Sequence, residues 1–285
     1  MAAQLIDGKA IAARIRRELK ERVARLTDRG ATPVLHSVQV GSDPGSNVYI
    51  GAQRKACEKI GIRYELHQLE KTVGQDLVDA EISRLNQDPS ANGIILQMPV
   101  PAGLNGRALQ ARILPEKDAE GVAPANMGQV VYGAPTMGPC TAMAAVELVK
   151  STGVELYGKE FVMVGHSDIV GKPTALLLLD QFATTSVCHI ATGERGNLAD
   201  YVQRAEILVV AVGKAGLIKG SWIREGAVVV DVGINRMNGK LVGDVEFEPA
   251  QERAAYITPV PGGVGPVTTA MLLKNVVTAT ELQHA

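Results

Sequence analysis

The stretch Val162-Met-Val-Gly165-His-Ser167-Asp-Ile-Val-Gly171-Lys-Pro173 decides the fold of the second half of the chain. Its apolar first residues predict a strand, and the glycine-containing turn leads into a predicted helix over 170–181. Glycine at such a turn lets backbone N–H groups approach a phosphate, and the helix N-terminus adds partial positive charge. The usual dinucleotide fingerprint is G-x-G-x-x-G, but here Ser167 replaces the second glycine and Gly171 is displaced from the third. Alone, the stretch fits either a nucleotide-binding turn or a plain tight turn.

Two more glycine turns follow predicted strands further along the chain. Val212-Gly213-Lys214 ends the apolar run 207–212, and Asp231-Val-Gly233-Ile-Asn235 ends the run 227–232. Continuous apolar runs are typical of parallel strands buried on both faces. Three such strands that end in glycine turns at one edge of a sheet form a cofactor crevice. We therefore predict a dinucleotide-binding site here.

The identity of the dinucleotide stays open. The second strand of such a sheet should end in an acid for a ribose hydroxyl or a base for a 2′-phosphate. It ends here in His189 and Ile190, which supply neither plainly. Glu194 and Arg195 follow and could serve NAD or NADP, or form an ordinary solvated pair.

Strands and helices alternate outside this region as well. We predict helices over 11–26, 46–60, 76–86, 141–151, 198–204 and 266–282, and further strands over 34–40, 62–69, 93–97, 184–190 and 256–258. This alternation is the signature of parallel sheets. The Pro- and Gly-rich segment 114–139 has no clear period and is predicted to be a crossover or domain junction.

Composition limits the class of protein. A chain of 285 residues suggests about two domains. Hydrophobic residues at 46% exclude a disordered chain, and a net charge of −1 gives no reason to expect nucleic acid or a membrane surface as partner. Apolar runs fall short of the ~18 residues of a membrane span, and Asp7 and Lys9 interrupt any signal peptide, so a cytoplasmic enzyme is expected.

Cysteines and histidines give no metal signature. Cys57, Cys140 and Cys188 are far apart and form no C-x-x-C pair, so we expect buried free thiols in a reducing compartment. The five histidines are expected to form no ligand cluster, and we predict no metal site; they are His36, His67, His166, His189 and His284.

The stretch from Pro259 to Pro266, Pro-Val-Pro-Gly-Gly-Val-Gly-Pro, combines residues of opposite conformational character. Proline fixes φ, whereas glycine permits open backbone geometry. We predict that this loop lines a ligand.

Together these segments resemble the methylenetetrahydrofolate dehydrogenase/methenyltetrahydrofolate cyclohydrolase family over almost the whole chain. The motifs are Ser46-x-x-Tyr49, Ile95-Leu-Gln97-Met-Pro99, Pro115-Glu-Lys117-Asp118, Gly165-x-Ser167-x-x-Val170-Gly171-x-Pro173, Asp231-Val-Gly-Ile-Asn235, Val242-Gly-Asp244-Val and Pro259–Pro266 through Thr268. The resemblance implies an α/β fold of two domains with a cleft between them and a homodimer.

The resemblance also implies a division of labour between the domains. An N-terminal α/β folate domain, 1–120, would be completed by the C-terminal helix 266–285, and a Rossmann-type NAD(P) domain would occupy 140–265 after a junction at 121–139. Tyr49 would stack near the pterin and Gln97 would lie at the reacting carbon. The implied folate-binding residues further include Pro99, Glu120, Pro261, Gly262, Gly263, Gly265 and Pro266. The implied cofactor-binding residues are Gly165, His166, Ser167, Val170, Gly171, His189, Ile190, Val212, Gly213, Gly233 and Ile234.

Two departures from the family pattern lie at the reacting centre. The family has a lysine four residues after the tyrosine, where this chain has Gln53, and an aspartate where this chain has Glu120. The basic residue that usually holds a 2′-phosphate is replaced by His166 or Ile190. Hydride removal from the methylene bridge moves no proton, but the cyclohydrolase step needs a titratable group, and glutamine cannot titrate. Lys55 could substitute only from a position about 200° around the helix.

Three functions are therefore weighed. The first is a dehydrogenase that is weakly or not at all a cyclohydrolase, with Tyr49, Gln53, Gln97 and Glu120 at the catalytic centre. The second is a repurposed folate enzyme that passes the one-carbon unit to another acceptor without net redox. The third is a non-catalytic binding relative.

Overall fold

The computed structural model describes residues 2–42 and 44–285. Its strands are β1 Gln4–Leu5, β2 Val34–Val40, β3 Arg63–Leu69, β4 Gly93–Leu96, β5 Glu160–Val164, β6 Thr184–Cys188, β7 Ile207–Val210, β8 Val228–Asp231, β9 Asn235–Met237, β10 Lys240–Val242 and β11 Tyr256–Ile257. Its helices are α1 Gly8–Asp28, α2 Pro44–Ile60, α3 Gln75–Gln87, α4 Gly106–Gln110, α5 Pro124–Val131, α6 Cys140–Lys150, α7 Gly171–Leu179, α8 Ile190–Glu194, α9 Leu198–Arg204, α10 Phe247–Gln251 and α11 Val264–Gln283.

The chain forms two compact units. One comprises the described residues of 14–140 and 269–285, and the other comprises residues 2–13 and 141–268. We call them the three-strand unit and the six-strand unit, after their parallel sheets. The predicted α/β class with a Rossmann-like parallel sheet is confirmed.

The sheet of the three-strand unit has the order β3-β2-β4. Every residue of the central strand β2 is buried, since this strand is covered on both faces. Its register pairs His36 with Glu65 on β3 and Ser37 with Ile95 on β4. Side chains alternate between faces along a strand, so His36 and Ser37 lie on opposite faces of the sheet.

The sheet of the six-strand unit has the order β6-β5-β7-β8-β11-β1. The chain leaves β5 for β6 on one side and then returns to β7 on the other, which makes the β5–β7 junction the topological switch point. The edge strand β1 pairs Gln4 with Tyr256 and Leu5 with Ile257. Residues 2–13 thus belong to this unit, although we expected residues 1–120 to form one domain. A strand of two residues is too short to show hydrophobic periodicity, so the sequence pattern did not predict β1.

Two features lie where the sequence showed no pattern. The predicted junction 114–139 contains helix α5, which begins at Pro124, a residue suited to the first helical turn. The antiparallel hairpin β9–β10 follows β8 directly. Both are short, so hydrophobic periodicity was a weak guide to them.

The expected state of the cysteines is confirmed, because Cys57, Cys140 and Cys188 are buried and free of disulfides. Within 2–42 and 44–285, no helix is long and apolar enough to cross a membrane.

Candidate functional site

A cluster of uncharged polar side chains lies on one face of the three-stranded sheet. Gln97, just after β4, donates from Nε2 to Gln53 Oε1 at 2.8 Å and to Ser37 Oγ at 2.9 Å. The Tyr64 hydroxyl donates to the same Gln53 oxygen at 3.4 Å, and burial raises the pKa of Tyr64. We call Ser37, Gln53, Tyr64 and Gln97 the glutamine cluster. Its amides orient neighbours by hydrogen bonds but cannot transfer a proton by titration.

Helix α2 sets the positions around this cluster. Tyr49 is one turn before Gln53, so both lie on the same side of the helix, and Tyr49 is half exposed. Lys55 is exposed and lies about 200° around the helix from Gln53. Pro99, two residues after Gln97, is exposed. The sequence brought Gln53 and Gln97 to attention but not Ser37 or Tyr64, whose only signal was their place on adjacent strands.

Glu120 lies in the turn that follows Asp118. Gln110 on α4 donates from Nε2 to Glu120 Oε2 at 3.0 Å. Burial and, to a smaller extent, the neighbouring Asp118 carboxylate raise the pKa of Glu120 to about 7, and the hydrogen bond from Gln110 opposes the rise. Glu120 is thus a carboxyl group that changes protonation near neutral pH.

Asp118 holds the turn in place. Its carboxylate accepts from the backbone N–H groups of Gly121 at 3.0 Å and Ala123 at 2.7 Å, and from Asn126 Nδ2 at 3.0 Å. Burial raises the pKa of Asp118, and these three donors oppose that rise. The role of this acid is therefore to position the turn that includes Glu120.

Lys117 has a structural role next to it. Its Nζ donates to the carbonyl oxygens of Leu85, Asn86 and Asp88 at 3.3, 2.9 and 2.7 Å. These carbonyls lie at the C-terminal end of α3, where a cation is favoured. Lys117, although it belongs to a family motif, thus caps the C-terminal end of helix α3.

The carboxyl ends of the six parallel strands bring the predicted cofactor residues to one edge. Gly165 has φ +121°, and a side chain there would overlap the carbonyl oxygen of Ala211. A side chain at Gly171 would overlap the carbonyl of Gly165. Ser167, in place of the second fingerprint glycine, accepts from the N–H groups of Val170 and Gly171, both at 3.2 Å. The displaced glycine and the serine therefore close the turn at the start of α7.

Two buried acids fix the other glycine turns. Asp244 accepts from the N–H groups of Val212, Gly213 and Lys214 at 2.8, 2.9 and 2.8 Å, and from Asn235 Nδ2 at 2.8 Å. Asp231 accepts from the N–H groups of Gly233, Asp244 and Val245 at 2.9, 3.0 and 2.8 Å, and burial raises its pKa to about 6. Both acids stood in family motifs, but their function as turn clamps was not predicted.

The solvent-facing side of this sheet edge is formed by glycine backbone and by exposed side chains. Gly213 has φ +66°, and no atom lies within 4 Å of where its Cβ would be, so the end of β7 leaves free space at its backbone. The rings of His166 and His189 lie 5.3 Å apart at the ends of β5 and β6. Ile190 and Ile234 are exposed at 76% and 50%, and Glu194 and Arg195 are exposed too. This is a backbone cradle of the kind that a pyrophosphate fits, and its exposed groups leave NAD and NADP both open.

The loop Pro259–Pro266 is tight within its own unit. The N–H of Gly263 donates to the Pro259 carbonyl at 2.9 Å, and Gly262 has φ +112°. A side chain at Gly8, the first residue of α1, would overlap the Gly263 carbonyl. Pro261 is exposed, whereas Gly262, Gly265 and Pro266 are half-buried and Gly263 is buried. Because Gly8 has no side chain, helix α1 can begin in direct contact with the backbone of Gly263.

The expectation that the histidines form no ligand cluster is wrong at one place. His36 Nδ1 and His67 Nε2 lie 2.8 Å apart, with Glu65 beside them. The residues are 31 positions apart, and only the pairing of β2 with β3 brings them together.

The chain matches two family models. Residues 6–120 match the tetrahydrofolate dehydrogenase/cyclohydrolase catalytic domain, and residues 139–284 match the corresponding NAD(P)-binding domain.

Relatives match over their full length. The bifunctional protein FolD of Halalkalibacterium halodurans is 47% identical over 98% of this chain and 99% of its own. The bifunctional FolD methylenetetrahydrofolate dehydrogenase/cyclohydrolase of Campylobacter jejuni is 41% identical, covers 99% of both chains and has a TM-score of 0.95. The Trypanosoma brucei enzyme, solved with NADP and an inhibitor, is 42% identical over 99% of this chain and 98% of its own, with a TM-score of 0.94.

Proposed function

The chain belongs to the tetrahydrofolate dehydrogenase/cyclohydrolase family, and from this we propose that it oxidises 5,10-methylenetetrahydrofolate to the 5,10-methenyl form, with NAD or NADP as hydride acceptor. We propose further that its cyclohydrolase activity is weak or lost. The family relationship supports the first part. The second part rests on the residues of the glutamine cluster.

The single observation behind the second part is the hydrogen bonding of Gln53. Its Oε1 accepts from Gln97 Nε2 and from the Tyr64 hydroxyl, so the amide is fixed among neutral groups. Water addition to the methenyl carbon requires a group that accepts and returns a proton, which typically contributes ~10²–10⁴-fold. Gln53 cannot do this, and Lys55 faces away from it.

Hydride removal makes smaller demands on these side chains. The product cation is stabilised by its own two nitrogens, so the protein must mainly hold the methylene carbon in the reactive position. Gln97, held by Ser37 and Gln53, is suited to fix that position, and Tyr49 provides an exposed ring for the pterin. In its ionised form Glu120 could accept from the pterin amide edge, with Gln110 orienting it.

The nicotinamide cofactor supplies hydride acceptance when it is bound. The residues that would hold it are those of the backbone cradle, Gly165, His166, Ser167, Val170, Gly171, His189, Ile190, Val212, Gly213, Gly233 and Ile234. Support comes from the free space at Gly213 and from the turn that Ser167 closes at the start of α7.

Two further proposals follow the resemblance and the composition. We propose a homodimer, which sedimentation velocity would test. We also propose a cytoplasmic enzyme, in keeping with three buried free thiols.

The experiment follows the near-ultraviolet absorbance of the methenyl product after mixing the protein with 5,10-methylenetetrahydrofolate and NAD or NADP. We expect the absorbance to rise and then to decay only at the rate of the buffer alone. Rapid enzyme-dependent decay would refute the loss of cyclohydrolase activity. Absence of any rise, together with measurable folate binding, would refute the dehydrogenase and favour the repurposed enzyme that transfers the one-carbon unit without redox.

A variant sharpens this experiment. Gln53→Lys should raise the enzyme-dependent decay of the methenyl product by roughly 10²-fold or more, because it restores a titratable group at the cluster. Ala52→Lys is the matched control, since residue 52 is exposed on the same helix and adds the same charge away from the cluster. Equal gains in the two variants would show that charge alone, and not the position of Gln53, matters.

A further inference from the structure

We propose that His36, Glu65 and His67 form a binding site for a zinc-type divalent cation. The three residues lie on β2 and β3, on the face of the sheet opposite the glutamine cluster. The register pairs His36 directly with Glu65, and His67 is two residues after Glu65, so all three side chains share one face.

The donor atoms already converge. His36 Nδ1 lies 2.8 Å from His67 Nε2 and 3.7 Å from Glu65 Oε2, and one ligand atom from each residue lies within 4.8 Å of the others. Two imidazoles and one carboxylate form a donor set that zinc uses when its fourth position is left for water. With Zn–N bonds of about 2.1 Å at a tetrahedral angle, the two nitrogens would lie about 3.4 Å apart. The present distance of 2.8 Å would therefore have to increase by roughly 0.6 Å.

A second layer of contacts orients His67. Its Nδ1 lies 2.9 Å from Glu81 Oε1, and Glu81 is also bonded by Arg84, which lowers the pKa of that carboxyl. A carboxylate that accepts from Nδ1–H leaves the Nε2 lone pair directed at a metal, as in carboxylate–histidine–zinc arrangements. With this tautomer, His67 Nε2 accepts a hydrogen bond from His36 Nδ1–H in the metal-free protein, and a bound cation would take the place of that proton.

The carboxylate of Glu65 is divided between two partners. Arg63 bonds Oε1 at 2.9 Å, which leaves the other oxygen, Oε2, nearest to His36. Around the three ligands the carboxylates Glu65, Glu81 and Asp88 face the guanidinium groups of Arg63 and Arg84, so the local charge is 2 − 3 = −1. A cation is favoured in such surroundings.

The site is buried on one side and open to solvent on the other. His36 is only 2% exposed, so this ligand is enclosed by the protein. His67 and Glu65 are partly exposed, which gives an ion a route from solvent. The bound ion would join the edge strand β3 to the central strand β2.

The test uses the full chain after treatment with a chelator. Zn²⁺ is titrated by calorimetry, and Co²⁺ by its visible absorption, which reports a site of low coordination number. We expect one saturable site per chain, weakened about 100-fold in His67→Gln and at least about 10-fold in Glu65→Gln and Glu81→Gln. Excess Zn²⁺ should raise the melting temperature of the wild type but not of His67→Gln.

The control is His284→Gln, which removes an exposed histidine elsewhere in the chain. It should bind Zn²⁺ as the wild type does. All the substituted ligands are at least partly exposed, and circular dichroism would verify that each variant is folded. The absence of saturable binding, or binding unchanged in folded His67→Gln and Glu65→Gln, would overturn the proposal. Both results leave the dehydrogenase assay untouched, so this proposal and the proposed function fail separately.

Discussion

The glutamine cluster and the backbone cradle are built in different ways. In the glutamine cluster, side chains contact side chains, and under the proposed function Gln53, Gln97 and Tyr64 limit the chemistry that can occur. In the cradle, the backbone forms the surface, and the side chains that matter are the buried acids Asp231 and Asp244 behind it. Substitution in the first region should therefore change the reaction, whereas substitution in the second should change folding and cofactor affinity together.

The largest effect is expected at Gly165. In Gly165→Ala the new methyl group meets the Ala211 carbonyl while φ is +121°, so we expect a loss of about 4 kcal/mol or more in unfolding free energy. Urea unfolding of the two variants measures it. The matched control is Gly193→Ala, a helical glycine with open space around it, which should gain up to about 1 kcal/mol. Equal stability of the two variants would contradict the backbone role of Gly165.

The next effect is expected at the clamp behind the cradle. Asp244→Asn replaces a carboxylate that accepts from three backbone N–H groups, and we expect a loss of about 2–3 kcal/mol in stability. NAD(P) affinity should fall as well, whereas folate affinity measured without the cofactor should not. A parallel fall in both affinities would show that the two regions are not separable in this way.

The next effect is a pH dependence of the unfolding free energy, which we expect from Glu120. The folded protein keeps the proton of Glu120 up to a pKa of about 7, whereas the unfolded chain loses it near 4.5. This group therefore makes the unfolding free energy fall as the pH rises from about 4.5 to about 7, and adds no slope above that. Between pH 5 and pH 8, Glu120→Gln should remove about 2–3 kcal/mol of this pH-dependent loss. Urea unfolding of both proteins at pH 5 and pH 8 measures the difference, and an identical pH profile would refute it.

The smallest effect is expected at Lys55. Because Lys55 is exposed and faces away from Gln53, Lys55→Gln should change the rates of methenyl formation and decay by less than about twofold. The spectrophotometric assay proposed above measures both. A large fall in the decay rate would mean that Lys55 acts in place of the missing lysine.

Long, regular segments could be predicted from the sequence, since their periodicity reflects burial. The strand over 34–40 and the helix over 198–204 have the predicted bounds. The two-residue strand β1 and helix α5 were not predicted, because so few residues establish no period.

The site residues likewise fall into those that local sequence motifs indicate and those that only the fold brings together. Residue types in motifs indicated Gln53, Glu120 and Gly165. The partners Gln110, Ser37 and Tyr64 could not be predicted, because their contacts depend on strand pairing and helix placement rather than on local sequence. The histidine pair is the clearest case, since the register of β2 on β3 alone brings His36 to His67.

The pairing of β1 with β11 has a consequence for the order of events during synthesis. Gln4 lies opposite Tyr256, a separation of 256 − 4 = 252 residues, whereas the sheet β3-β2-β4 needs only residues 34–96. On the ribosome the sheet β3-β2-β4 can form before β11 is synthesised, but β1 must wait until residues 256–257 have emerged. Residues 4–5 are thus synthesised long before their partner strand β11 and pair only after it has been made.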